Sequence, residues 1–149
     1  VEVMAGEADV INIYTDGACK GNPGKGGWGA LLQYPDREIE ITGYDPQTTN
    51  NKMELTAAIE ALRTVSEPSE IMLHSDSQYL VKGMTEWIKG WISRGWKTAQ
   101  RKPVLNEELW KELLTLSRDH KIKWVWVKAH NGHPENERAD RLANSAIGS

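Results

Sequence analysis

The sequence predicts an α/β fold: a mixed five-stranded sheet, three strands antiparallel and then parallel ones, with helices on both faces. Three observations carry this. Short β-branched or aromatic runs are separated only by turn-rich residues between positions 10 and 42, too little chain for a helical crossover. Two later apolar runs of strand length, 71–74 and 122–127, are each reached only after a segment with helical spacing, which favours parallel pairing. Helical periodicity itself recurs in four places, enough to cover both faces of such a sheet.

The first strand is expected over 10–15, closed by a turn at Asp16-Gly17. Residues 21–27, Gly-Asn-Pro-Gly-Lys-Gly-Gly, read as a connection that returns the chain antiparallel over 28–34. A third strand follows at 38–42, where Ile39 and Ile41 alternate with acids. Asn50 and Asn51 offer N-cap oxygens to a helix over 53–62, in which Leu55, Ile59 and Leu62 share a face. Pro68 ends that stretch, and the strand at 71–74 leads into Ser75-Asp76. Residues 77–95 keep helical spacing, but Gly83 and Gly90 suggest two shorter helices or a kink. Asn106 is placed to cap a helix carrying Leu109, Trp110, Leu113, Leu114 and Leu116, and Pro134 fits the first turn of a last helix.

A chain of 149 residues buries about 68–70% of its unfolded surface. No disulfide or structural metal is therefore required for a core. The longest apolar run falls far short of the ~20 residues of a membrane-spanning helix, so no membrane partner is expected. A single cysteine, Cys19, agrees with a reducing compartment, and a cytoplasmic location is the expectation. The net charge of −3 argues weakly against a polyanion partner, but the charge is unevenly spread. Between Lys82 and Lys102 six basic residues face one acid, a local +5 that leaves −8 elsewhere.

Among 21 acids, most are solvated surface groups, yet Asp16 and Asp76 lie at predicted strand ends. They become neighbours if their strands pair in parallel, at the strand ends where open α/β folds place ligands. Glu54 in the first turns of a helix and Asp140 in the last helix complete a set of four. Clustered carboxylates repel one another, which a divalent cation relieves. Oxygen-only ligands favour Mg²⁺ or Mn²⁺, and two such ions ~3.5–4 Å apart can clamp a phosphodiester displacement. The glycine-rich stretch after Asp16 is not a nucleotide-binding loop, because Gly24-Lys25 is followed by Gly26 rather than Ser or Thr.

Four blocks occur in order: Tyr14-Thr15-Asp16-Gly17 through Gly21-Asn22-Pro23-Gly24, then Thr49-Asn50-Asn51-Lys52-Met53-Glu54-Leu55, Ser75-Asp76-Ser77-Gln78-Tyr79, and Gly132-His133-Pro134-Glu135-Asn136-Glu137-Arg138-Ala139-Asp140. Together they resemble bacterial type 1 ribonuclease H, over nearly the whole chain. The resemblance implies a single catalytic domain over 1–149, with 1–9 a loose extension and about 82–103 a basic substrate-handling protrusion. It implies cleavage of the RNA strand of an RNA–DNA hybrid with two Mg²⁺ ions, Mn²⁺ being a possible substitute, leaving 5′-phosphate and 3′-hydroxyl ends. Asp16 would bridge both ions, Glu54 and Asp76 would hold the one near the leaving group, and Asp140 the one with the attacking water. His130 matches a loop histidine that aids proton handling or product release, while His133 caps or positions the last helix. Asn22, Asn50, Asn51 and Gln78 match positions facing the minor groove, where the 2′-hydroxyl marks RNA. Trp87, Trp91 and Trp96 would offer flat surfaces to deoxyribose, Lys97 a charge to phosphate, and Thr49 and Asn106 a grip on the DNA strand. Core packing is the competing role for these tryptophans, above all for Trp96.

The chain departs from that pattern in places. Ile92, Ser93 and Leu105 fall where relatives often carry Lys, which implies weaker hybrid affinity and shallower salt dependence. Gln47 stands where some relatives have Arg, and Ala129 precedes His130 where Gly is common. A monomer without an obligate protein partner is expected. The alternative is a catalytically silent hybrid or duplex-RNA binding module on the same fold, which the loss of a carboxylate would have favoured.

Overall fold

The computed structural model describes residues 10–129 and 131–148. The segment 1–9 and His130 lie outside the described residues. Strands β1 (Ile11–Lys20), β2 (Gly24–Gln33) and β3 (Glu38–Thr48) form an antiparallel meander. Strands β4 (Glu70–Ser75) and β5 (Lys121–Trp126) add in parallel, giving the order β3-β2-β1-β4-β5. The mixed five-stranded sheet is the one predicted.

β1 does not stop at Asp16, as the turn chemistry of Asp16-Gly17 suggests. Its pairing with β2 continues through Gly17↔Trp28 and Ala18↔Gly27 to Lys20↔Lys25, so the turn is confined to three residues. At the tip a Cβ on Gly24 would collide with the Lys20 carbonyl, so a glycine there lets the pairing run to the turn. The parallel ladder with β4, by contrast, ends at Thr15↔Ser75. Asp16 is thus mid-strand toward β2 and the first residue past the ladder toward β4.

Side chains alternate across a strand, so the sheet has two distinct faces. Ile11 and Ile13 of β1, Ala30 and Leu32 of β2 and Leu73 of β4 pack against Leu55, Ile59 and Leu62 of α1 (Asn50–Thr64). Trp110 and Leu113 of α4 (Glu107–Ser117) complete this core, fully buried. Each buried Leu or Ile among them contributes roughly 1.5–3 kcal/mol. The opposite face is covered by α5 (Pro134–Ile147), which lies so close that a Cβ on Gly29 would stand 2.5 Å from Leu142 Cβ. Arg138 holds α5 to the edge strand through Glu38 at 3.1 Å and Glu40 at 2.8 Å.

Helix starts depart from expectation in two places. Thr49, not Asn50 or Asn51, caps α1, its Oγ1 accepting from the Lys52 amide at 3.2 Å. Asn106 precedes α4 in the left-handed region (φ 60°) and makes no side-chain cap bond; its amide is used elsewhere. Between β4 and α4 the chain forms α2 (Gln78–Lys82), a π-helical turn (Gly83–Trp87) and α3 (Ile88–Ser93). The expected irregularity at Gly83 is therefore a π turn, and it lies against the Trp110 ring, where a Cβ would collide.

Candidate metal centre and nucleic-acid interface

Three carboxylates converge where β1, β4 and the start of α1 meet. Asp16 comes from β1, Asp76 from the residue after β4, and Glu54 from α1; one oxygen of each lies within 4.8 Å of the others. The parallel pairing sets Asp16 beside Asp76. Glu54 is brought in by the absence of a side chain at Gly17, where a Cβ would stand 2.5 Å from the Glu54 amide nitrogen. Asp140 reaches this group from α5, close enough to hydrogen-bond Asp16, and lines a small cleft with Asp76, Lys128 and His133. Its Oδ1 also accepts from Asn144 Nδ2 at 3.2 Å.

Burial, then the Asp76 charge and the Asp140 carboxyl, push the Asp16 carboxyl up to about 9 against a restraining Gly17 amide, which donates to Asp16 Oδ1 at 3.0 Å. Burial and the same neighbours hold Glu54 well above the usual carboxylate range. Glu54 Oε1 is buried and has no hydrogen-bond partner, a costly arrangement for a carboxylate oxygen that a cation would relieve. The donors are all hard oxygens, so the set fits Mg²⁺ or Mn²⁺ rather than zinc.

The comparisons agree with this chemistry. The family model described as RNase H matches residues 8–148. The chain belongs to the ribonuclease H family. That membership makes it an endoribonuclease. It is 61% identical to Ribonuclease H of Geotalea uraniireducens over 137 residues, 92% of this chain and 93% of that protein. It is 58% identical over 137 residues to Ribonuclease HI of Caulobacter vibrioides, 92% of each. Among solved structures, LC9-RNase H1, a type 1 RNase H with the type 2 active-site motif, shares 35% identity with a TM-score of 0.85, covering 94% of this chain and 72% of that one. LC11-RNase H1, solved in complex with RNA/DNA hybrid, shares 28% identity with a TM-score of 0.68, covering 92% of this chain and 96% of that one.

Of the remaining site residues predicted from the ribonuclease H resemblance, the structure groups one set tightly. Asn22, exposed on the β1–β2 turn, accepts from the Asn50 amide at 2.9 Å, so Asn22, Thr49, Asn50 and Asn51 form one rim beside Glu54. Gln78 is exposed at the first turn of α2, two residues after Asp76. Trp87 is exposed and Trp91 half-buried, with ring centroids 6.0 Å apart; Trp91 continues to Trp96 at 6.4 Å and to the buried Trp110 at 5.2 Å. Trp91 and Trp96 are thus packed against the core, whereas Trp87 is left open to a ligand. Lys97 is exposed and paired with Pro103 by an isolated bridge, apart from the carboxylates in the fold. His130 lies outside the described residues. His133 begins α5 but makes no side-chain cap bond.

Two contributors escape sequence reading. The Tyr79 hydroxyl accepts from Asn106 Nδ2 at 3.0 Å and Trp110 Nε1 at 3.2 Å, which is what holds Asn106 in its left-handed turn. Lys52 lines an open groove between α1 and α4 with Thr48, Thr56, Leu105 and Asn106. Helical spacing reads Tyr79 as an apolar core position, so its hydroxyl carries no signal; Lys52 stands inside a quoted block but beside more conspicuous asparagines.

Proposed function

We propose that the protein hydrolyses the RNA strand of RNA–DNA hybrids, acting as a monomer on two Mg²⁺ ions for which Mn²⁺ can substitute. The observation that carries this reading is the cluster of buried Asp16 and Glu54 with half-buried Asp76 and an unsatisfied Glu54 oxygen, in a ribonuclease H family chain. A family relative solved with RNA/DNA hybrid supports the substrate class.

Asp16, Glu54, Asp76 and Asp140 would hold the ions, which supply charge for an attacking and a leaving oxygen. The chain's own part is to bind, orient and exclude water. The Asn22–Asn50 rim and Gln78 present neutral donors and acceptors to the minor groove, suited to reading a 2′-hydroxyl. Trp87 gives the DNA sugar a flat surface, while Lys97 and the other basic residues of 82–103 attract phosphates. Thr49 and Asn106 grip the DNA backbone beside the groove that Lys52 lines. Water attacks phosphorus, the P–O3′ bond breaks, the water gives up a proton and O3′ gains one, which leaves 5′-phosphate and 3′-hydroxyl ends. His130 would assist that proton movement or release of product.

The test is cleavage of an end-labelled hybrid with Mg²⁺ beside RNA duplex, DNA duplex and single-stranded RNA, using wild type and Asp16→Asn. Hybrid-only cutting of the RNA strand that vanishes in Asp16→Asn is expected. Tight hybrid binding without cleavage in either protein would overturn the reading in favour of a silent binding module.

A further inference from the structure

We infer that Trp126, at the end of β5, is a positioning residue for Asp76, acting on its peptide group rather than its carboxylate. The last backbone bond of the β4–β5 ladder runs from the Val127 amide to the Ser75 carbonyl at 2.9 Å. The next carbonyl along, that of Asp76, lies one residue past the end of β4. The Trp126 indole meets it: Nε1–H donates to the Asp76 carbonyl at 3.2 Å. The side chain thereby extends the ladder by one bond.

The other end of the same peptide is also held. The Ser77 amide donates to Ser75 Oγ at 3.0 Å, with Ser75 fully buried and Ser77 in turn capping α2 through the Leu80 amide at 3.1 Å. A peptide group is planar, so fixing its C=O and its N–H fixes the plane. Upstream, Ser75 is locked in the ladder. The Cα–Cβ direction of Asp76, caught between a locked strand and a locked plane, has one setting, and that setting aims the carboxylate at Asp16 and Glu54.

Trp126 is 46% exposed, so core packing does not explain an indole here. Its inward polar end does the holding while the ring faces solvent. Groups that hydrogen-bond a metal ligand directly alter metal affinity by about ten-fold or more when removed, and a hold on the ligand's own peptide acts through the same orientation.

This inference rests on the proposed metal-dependent reading, and the experiment separates the two. Mn²⁺ affinity is measured without substrate by electron paramagnetic resonance for wild type and Trp126→Phe, which keeps a ring and loses the N–H. Hybrid kcat and KM and thermal melting are measured alongside. The expected result is Mn²⁺ affinity weakened about ten-fold, kcat lowered, KM unchanged and melting little altered. Unchanged Mn²⁺ affinity overturns the inference, whether KM rises, as for an exposed ring used to stack on substrate, or only melting falls. If Trp126→Phe does not fold, Ser75→Ala removes the hold on the other end of the same peptide and is read the same way. Wild type that fails to bind Mn²⁺ overturns the metal reading and the inference together; wild type that binds while the variant matches it overturns the inference alone.

Discussion

The carboxylate end of the sheet and the segment from Gln78 to Pro103 are built on opposite plans. The carboxylates are held by contacts remote in sequence: β1 beside β4, Gly17 against the start of α1, Asp140 across from Asp16. The 78–103 segment rests on the core through its aromatic residues but braces its outer part with bonds of its own. The Trp96 amide donates to Trp91 O at 2.6 Å, Thr98 to Lys102 O at 2.8 Å, and Arg94 Nε to Lys97 O at 3.0 Å. Trp96 and Arg101 adopt positive φ (66° and 65°), and a row of indoles links the segment to buried Trp110. One region tolerates almost no change because several elements must meet at one point. The other presents side chains on a locally braced scaffold, so its charge can vary without disturbing the fold.

The sharpest break of this comparison is at Asp16. Asp16→Asn is expected to lower hybrid turnover by at least about 10³-fold, roughly 4 kcal/mol, while making the metal-free protein more stable at alkaline pH. The sign follows from the raised carboxyl. Asp16 sits at about 9 in the folded chain against an ordinary 3.8, so the fold prefers the protonated form. The stability this gives is full below about pH 4 and is lost as pH rises through 9. Glu54 shifts in the same direction. Metal-free wild type should therefore melt at progressively lower temperature from pH 5 to pH 9, with a smaller decline in Asp16→Asn and recovery of wild type by Mg²⁺. Calorimetry with and without chelator reads this; a flat wild-type profile would contradict it.

A pair of glycines extends the test. Gly17→Ala places a Cβ 2.5 Å from the Glu54 nitrogen and 2.6 Å from the Met53 carbonyl carbon, both backbone atoms. Overpacking of that kind costs about 1–3 kcal/mol and should push Glu54 away from Asp16, weakening Mn²⁺ binding as well as melting. Gly90→Ala, inside α3, meets first the Arg94 guanidinium, 2.9 Å away, the far end of a flexible side chain that can give at the expense of its bond to Lys97 O. Helix propensity then favours the alanine by up to about 1 kcal/mol, so melting should rise or stay level. Equal destabilisation by the two substitutions would erase the distinction between the regions.

The same contrast governs what could be read from sequence. The mixed five-stranded sheet and the four carboxylates are legible because each lies in a short local pattern: β-branched runs, helical spacing, ordered motif blocks. The continuation of β1 beyond Asp16 is not, since Asp-Gly is turn chemistry locally and only β2, whose Gly29 and Trp28 pair with Asp16 and Gly17, overrides it. Thr49 rather than Asn50 caps α1, and the Asn50 backbone N–H is met by the Asn22 side chain, a partner distant in sequence that no local pattern reports. Asn106 reads as a cap by type, but a hydroxyl on another helix, Tyr79, takes its amide instead. The Trp126 contact with Asp76 is invisible for a like reason: nothing in a strand's alternation reports which indole nitrogen finds a carbonyl past the neighbouring strand's end.

The smallest expected effect lies on the surface that sequence reading judged poor in lysine. Ile92 is 43% exposed and Leu105 is 73% exposed, so each can accept a charged side chain with no packing cost. Ile92→Lys joins a segment already carrying an excess of positive charge. Leu105→Lys enters a groove that Glu107 and Glu108 also line, and part of its field is cancelled there. Each lysine that meets a phosphate releases counterions and steepens log K against log salt by roughly 0.7–0.9. Stability should change by less than about 0.5 kcal/mol, the usual range for surface positions. Hybrid affinity at low salt should rise a few-fold, more for Ile92→Lys than for Leu105→Lys, and the gain should fade as salt is raised. Salt slopes equal to wild type in both variants would mean that neither position faces the nucleic-acid backbone, and the graded, charge-driven role of this region would have to be carried by Lys97 and its basic neighbours alone.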